Sequence, residues 1–249
     1  MPTPLQTADA ARRLIVKLET ISSLTAAEKE ALTGLPFKLR ELPENSDLVR
    51  QGDAPREACL IVKGFACRYK VLGEGQRQIM SFHIPGDIPD LQSLHLKVMD
   101  HSLMALTPIQ AAMVPHEALL AITRAYPGIA AAFWRDTLID AAVFREWLAG
   151  VGRRSAHQRI AHLLCEVYVR LRSVGLAQKD SFELPVTQAE LADSLGLSPV
   201  HVNRVLQDLR RDGVIASRGR FVAIGDWPRL KAAGDFDPAY LHLKAREAA

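Results

Sequence analysis

The sequence predicts an α+β chain: a mostly β N-terminal half, one long helix, and a C-terminal pair of short helices closed by a hairpin. Three observations carry this prediction. Strand-type alternation punctuated by glycine runs from residue 37 to about 115, a 4-3 spaced apolar seam runs through residues 130–151, and residues 184–224 hold two capped helices with a glycine between them. A chain of 249 residues, 48% hydrophobic and 24% charged, has room for two packed domains and is not a disordered polymer.

In chain order, residues 8–34 read as short packing helices around Leu14, Ile15 and Leu18 and, after a capping Thr25, Leu32. In the segment FACRYKV, Phe65, Cys67, Tyr69 and Val71 fall on one strand face, while Arg68 and Lys70 point the other way. Glycine turns at Gly52, Gly64, Gly73, Gly75 and Gly86 separate the strand candidates by the spacing of a small sandwich or barrel. Helical spacing begins at His116, pauses at Pro127 and resumes to Gly152. Within it Ala130, Trp134, Thr137, Ala141, Phe144, Leu148 and Val151 keep an unbroken heptad register. Such a seam suits self-pairing in a dimer; packing on the chain's own β half is the alternative that periodicity leaves open. Ser155 caps an amphipathic helix carrying Ile160, Leu163, Leu164, Val167 and Leu171. The stretch VGLAQKDS reads as a loop, and residues 227–249 read as a polar extension without a motif.

The informative segment is LPVTQAELADSLGLSPVHVNRVLQDLRRDGVIASRGRFVAI. Thr187 with Glu190 forms a capping box, so a helix starts there and stops at Gly196. Ser198 caps a second helix, and Pro199 fits its first position, where a missing N–H costs nothing. Two short helices around a glycine turn are the helix-turn-helix pattern, whose second helix can enter the DNA major groove. Val202, Val205, Leu206 and Leu209 fall on one face of that helix and pack inward. Val200, Arg204, Gln207 and Arg211 line the opposite face, flanked by His201 and Asn203. Arginine can pair with guanine O6 and N7, asparagine or glutamine with adenine, and valine can touch a thymine methyl. The hairpin that follows carries Arg218-Gly219-Arg220 at its tip, suited to phosphate contact as a wing.

Charge and cysteine usage fit a DNA-associated reading. The net charge of +3 divides unevenly. Residues 1–152 carry 16 Lys+Arg against 17 Asp+Glu, and residues 153–249 carry 15 against 11. The basic surplus therefore lies in the half with the helix-turn-helix pattern. Cys59, Cys67 and Cys165 are widely spaced, odd in number and outside any zinc-type cluster, which implies a reducing compartment. No apolar run reaches the roughly 18 residues of a membrane span and no signal-peptide core opens the chain, so a cytoplasmic protein is expected.

These motifs resemble the Crp/Fnr family of bacterial transcription regulators. The carriers are VKG at residues 62–64, PGD at 85–87, the YPG-helix-RIA register over 126–161, and TQAELADSLGLSPVHVNRVLQDLRRDGVI; together they span roughly residues 20–225. The resemblance implies four parts. Residues 1–125 would form an antiparallel β-roll sensor of cyclic-nucleotide-binding type with N-terminal helices, and 126–152 a dimerisation helix with Trp134, Thr137, Ala141, Phe144, Leu148 and Val151 in its seam. Residues 153–228 would form a winged helix-turn-helix, and 229–249 an extension with no assigned role. It further implies a homodimeric regulator rather than an enzyme, with no catalytic residues and no metal. The expected partners are double-stranded DNA at a palindromic operator, a second copy of the chain and RNA polymerase, with no membrane.

Carried over residue by residue, Ser198 resembles the family's cap and phosphate-contacting position and Arg204 its guanine-reading arginine. Pro199, Val200, His201, Asn203, Gln207, Arg211, Arg218 and Arg220 complete the expected DNA-binding set. Val200 stands where members with well-known operators place a glutamate, so the half-site should differ there. The sensor departs further. Cyclic-AMP-binding members use a Gly-Glu pair followed by an arginine about ten residues on. Here Asp90 stands for the glutamate and Met99 or Asp100 for the arginine, and no arginine occurs between Arg77 and Arg124. A buried phosphate would lack its cation, so cyclic AMP is not expected. An iron–sulfur cluster is not expected because the first cysteine is Cys59, nor is haem, since His83, His95 and His101 read as structural. Asp90, Met99, Asp100, Phe144 and Arg145 form the candidate pocket, for an acidic or apolar effector or for none; the effector's identity is left open. Two other classes stay open. One is a cupin-like metal enzyme, although His83, His95, Asp100 and His101 lack the HxH cluster. The other is a ligand-binding module without DNA activity.

Overall fold

The computed structural model describes residues 4–244, which divide into two compact units. Among the described residues the first comprises residues 4–70, Ser81–Ala141 and residues 243–244; the second comprises Val71–Met80 and Ala142–His242.

The first unit opens with α1 (Pro4–Glu19) and α2 (Ala26–Thr33), the latter started by a capping box in which Thr25 and Glu28 answer each other's backbone N–H. Strands β1 (Lys38–Leu42), β2 (Asp47–Val49), β3 (Glu57–Lys63), β4 (Ala66–Val71), β5 (Arg77–His83), β6 (Ser102–Ala105) and β7 (Ile109–Pro115) follow, residues 71 and 77–80 of β4 and β5 counting with the second unit, then α3 (His116–Ala125) and the start of α4 (Pro127–Arg153). They form two sheets, in the orders β1-β7-β3 and β2-β6-β4-β5, in which β1 and β3 pair antiparallel with β7, and β2 and β4 antiparallel with β6. The apolar stripe of α1 (Ala10, Ala11, Leu14, Leu18) closes over Leu60, Val62, Ala112 and Val114 from the first sheet, and Ile129 and Phe133 of α4 join the same core. Gly64, between β3 and β4, has a φ of +89°, and a Cβ there would meet the Pro108 carbonyl oxygen at 2.6 Å. This position of the VKG motif therefore excludes every other residue type.

Strand β4 departs from the expected alternation of a core face and a solvated one. Ala66, Cys67 and Arg68 are all buried, whereas Val71 is exposed. Both faces of the strand's first half are enclosed, and the arginine that the alternation set opposite the core is itself inside.

The second unit contains the rest of α4, α5 (Ala156–Ser173, capped by Ser155), β8 (Ser181–Glu183), α6 (Gln188–Leu195), α7 (Pro199–Arg211), β9 (Ile215–Arg218), β10 (Phe221–Ile224) and α8 (Trp227–Ala233). The segment read as a loop, residues 174–181, runs directly into β8, which the sequence reading did not include and which pairs with β10 to give a sheet in the order β8-β10-β9. Three residues are too few for periodicity to reveal. The extension read as polar is a packed element. Leu230, Phe236 and Leu241 are buried, and Trp227, Phe236 and Tyr240 form ring contacts with His162 and Tyr168 of α5. At the centre lies the buried carboxylate of Glu166, which accepts from Trp147 Nε1 at 3.0 Å, Tyr240 OH at 2.7 Å and Arg170 Nη1 at 3.3 Å. In the same unit Arg77 pairs with Asp193 of α6 at 2.8 Å. Among the described residues no helix is long and apolar enough to cross a membrane.

Candidate nucleic-acid interface

The local sequence dictates the helix pair. At the start of α6 the Thr187 hydroxyl accepts from Glu190 N–H at 3.2 Å, and Glu190 Oε2 accepts from Thr187 N–H at 2.7 Å. The helix stops at Gly196, in the left-handed conformation. At the start of α7 the Ser198 hydroxyl accepts from His201 N–H at 3.2 Å, which leaves its own O–H to donate. Val202, Val205, Leu206 and Leu209 are buried under α7, and its opposite face is open, with Val200 81% exposed and Arg204 and Gln207 exposed beside it.

The expected DNA-facing residues fall into three groups. Arg204 and Gln207 are exposed, and no side-chain partner holds either among the described residues. Arg211 is also exposed but engaged, with Asp208 at 2.9 Å and Asp212 at 3.2 Å. Asn203 is half-buried, and its Nδ2 donates to Gln188 Oε1, in the first turn of α6, at 3.0 Å. Sequence reading overlooked Gln188, although it lies inside the motif, because nothing local marks a contact between residues 15 apart. It also overlooked Arg210, whose Nε donates to Ser217 Oγ of β9 at 2.8 Å and so ties α7 to the wing. The wing turn places Arg218 opposite Phe221 across a two-residue loop that begins with Gly219 at φ +60°. Positive φ at Gly219 but not at Arg220 is the pattern of a type II′ hairpin, which presents Arg218 and Arg220 at the exposed tip.

The expected seam residues of α4 lie on its uncovered side. Trp134, Leu148 and Val151 are exposed and Thr137, Ala141 and Phe144 half-buried, whereas Ala132, Phe133, Ala142 and Val143 take the covered positions.

The candidate effector residues of the first unit sit in different environments. Met99 is buried in a small cluster with Val49 and Leu103, so it is a core residue. Asp100 stands in solvent, its side chain 72% exposed, and pairs with His101 at 2.7 Å. Phe144 and Arg145 lie on α4, half-buried and exposed respectively. Asp90 is fully buried; one carboxylate oxygen accepts from Cys59 N–H at 2.8 Å, and the other has no partner among the described residues. Burial pushes its carboxyl up to about 7, against the pull of the Cys59 N–H and the nearby Arg68 guanidinium.

The missing cation is corrected by the fold. Residues 78–123 hold no arginine, yet β4 brings Arg68 into the interior. There Nη1 donates to Asp140 Oδ2 of α4 at 2.8 Å and Nη2 to the Pro89 carbonyl. His83, also buried, is pushed down to about 4, first by desolvation and then by the Arg68 charge, against its contact with Asp87. Among the described residues no group of three or more His, Cys, Asp or Glu side chains is placed to hold a metal ion. Burial raises the thiols of Cys59 and Cys165, the latter to about 12, which disfavours the reactive thiolate.

Comparison with known proteins agrees with this geometry. Residues 158–233 match the model of a Crp-like helix-turn-helix domain, and residues 39–126 that of a cyclic nucleotide-binding domain. The transcriptional activator protein FnrL of Cereibacter sphaeroides is 28% identical over 201 residues, covering 79% of this chain and 80% of that protein. The transcriptional activator protein anr of Pseudomonas aeruginosa is 24% identical over 204 residues, covering 82% and 83%. The solved structure of FixK2 from Bradyrhizobium japonicum superposes with a TM-score of 0.73 at 24% identity, covering 80% of this chain and 98% of that one, and shows the shared fold.

Proposed function

The chain belongs to the Crp/Fnr family of DNA-binding transcription regulators, and from that premise we propose that it acts as a homodimer on a palindromic operator, controlled by the state of its N-terminal β-roll. The observation that carries this reading is the outer face of α7, where Val200, Arg204 and Gln207 are exposed and without side-chain partners among the described residues. Donors that are neither buried nor paired cost the fold nothing and are ready for base edges. The exposed Trp134 and Leu148 of α4 support self-association, since an apolar helical stripe left in water favours a matching partner. Two α7 helices in such a dimer would read half-sites about 34 Å apart. RNA polymerase is the partner expected of a regulator bound at a promoter. The relatives are regulators rather than enzymes, and no catalytic role is proposed for any residue here.

Cyclic AMP is not proposed as the effector. A cation does stand inside the β-roll, but Asp140 already neutralises Arg68, and a phosphate would have to displace that carboxylate.

The test is affinity for a duplex selected from random sequence, compared with bulk DNA. Arg204→Ala should cost about 1 to 3 kcal/mol on the selected duplex and little on bulk DNA. Equal losses on both would remove the base-reading role. Leu148→Glu places a charge in the proposed seam. It should shift the chain toward monomer in sedimentation and weaken binding to the two-half-site duplex more than to a single half-site.

A further inference from the structure

Asn203 lies on α7 between Val200, three residues before it, and Gln207, four residues after it, and both of these are exposed. It therefore borders the face proposed to meet DNA. Unlike Arg204 it is not free to rotate, because its Nδ2 donates to Gln188 Oε1 at 3.0 Å. A carboxamide has two N–H donors and one carbonyl acceptor. The bond to Gln188 uses one donor, and among the described residues nothing engages Asn203 Oδ1 or the second N–H. What remains is a carbonyl beside a single N–H, the acceptor–donor pair that matches N6 and N7 of adenine in the major groove.

An unrestrained asparagine presents that edge only part of the time, since the terminal torsion of an amide is broad and roughly two-fold. Gln188 removes this freedom. In the bonded arrangement its Oε1 accepts from the nitrogen end of Asn203, which faces α6 and points the oxygen end away. The capping box at Thr187 in turn holds Gln188 in the first turn of α6. We propose that Gln188 is a specificity-determining positioning residue: it sets the amide of Asn203 so that the pair reads one base, an adenine, at a position separate from the one read by Arg204. This rests on the DNA-reading role proposed above.

The experiment is selection of bound duplexes from a random pool by the full chain, repeated for Asn203→Ala, Gln188→Ala, Gln188→Glu, the double alanine variant and Arg204→Ala. Asn203→Ala should abolish an A·T preference of about tenfold at one position. Gln188→Ala should weaken the preference at that same position several-fold with an unchanged melting temperature, and the double variant should be no worse than Asn203→Ala alone. Gln188→Glu keeps the acceptor oxygen, so it should retain the base preference while its added negative charge lowers affinity for all DNA. Arg204→Ala should relax a different position. The proposal is overturned if Gln188→Ala retains the preference that Asn203→Ala abolishes, if it weakens all positions evenly, or if Asn203→Ala changes no position. If the unmodified chain selects no motif, the DNA-reading role fails and the pair fails with it, whereas a motif indifferent to Gln188 sinks this inference alone.

Discussion

Inside the first unit, Arg68, His83, Asp87, Asp90 and His101 are all buried and held by hydrogen bonds within that unit; on α7 of the second unit, Arg204, Arg210 and Arg211 are all exposed. The same residue type thus does two jobs. Arg68 is a structural cation, enclosed and neutralised by a carboxylate 72 residues away. Arg204 is a surface donor whose hydrogen-bonding capacity the fold leaves unused. An enclosed cation makes the unit depend on its counter-ion, while an open one can be removed with consequences only for what binds it.

The sharpest way to break this contrast is to remove one partner of the enclosed pair. Asp140→Ala leaves Arg68, whose side chain is 4% exposed, buried without its carboxylate, and should cost about 3 kcal/mol or more in urea unfolding. The reciprocal change, Arg68→Met, leaves Asp140, which at 34% exposed can turn to water, and fills the space with apolar atoms; it should cost clearly less. Equal costs would mean that burial is not what makes the pair matter.

The next test uses pH. Asp90 is raised to about 7 in the folded chain, so the fold holds a proton that the unfolded chain, with an aspartate near 3.9, has released. Its contribution is full below about 4 and is lost as pH rises to about 7. His83 is lowered to about 4, so there the unfolded chain holds the extra proton, and stability is gained as pH rises from about 4 to about 6.5. Each slope integrates to roughly 3 to 4 kcal/mol, with opposite signs over nearly the same window. The unmodified chain should therefore show a shallow stability profile there. Asp90→Asn should expose the rising limb and His83→Gln the falling one, measured by urea unfolding at intervals from pH 4 to 7.5. A single variant as flat as the parent would show that its residue does not titrate in this way.

The same contrast explains what could be read from the sequence. The helix-turn-helix was legible because its signals are local: Thr187 with Glu190, Gly196, Ser198 with Pro199, and the buried stripe of Val202, Val205, Leu206 and Leu209 all lie within 23 residues. The glycine of VKG was legible because a left-handed, crowded position admits only glycine. The interior of the β-roll was not, because its partners are distant in sequence: Arg68 meets Asp140, and Asp90 meets the backbone of Cys59. An arginine in a strand of alternating pattern reads as solvated, and nothing in the segment reveals that its other face is also enclosed. The C-terminal extension failed similarly, since Phe236 and Tyr240 look like isolated aromatics until α5 supplies His162 and Glu166. Met99 and Asp100 were placed by counting from Asp90, and counting cannot tell a core position from a solvent one.

The smallest effect sharpens the comparison from the open side. Arg218 stands at the tip of a type II′ turn, exposed, so Arg218→Ala should change unfolding stability by no more than about 0.5 kcal/mol. Its expected role is contact with a phosphate, which carries no sequence information. Removing it should weaken selected and bulk DNA alike and reduce the slope of log affinity against log salt by about one. Titration of both duplexes at several salt concentrations measures this directly. A changed base preference would move Arg218 into the base-reading set with Arg204, and a large loss of stability would place it with Arg68, among the arginines on which the fold itself depends.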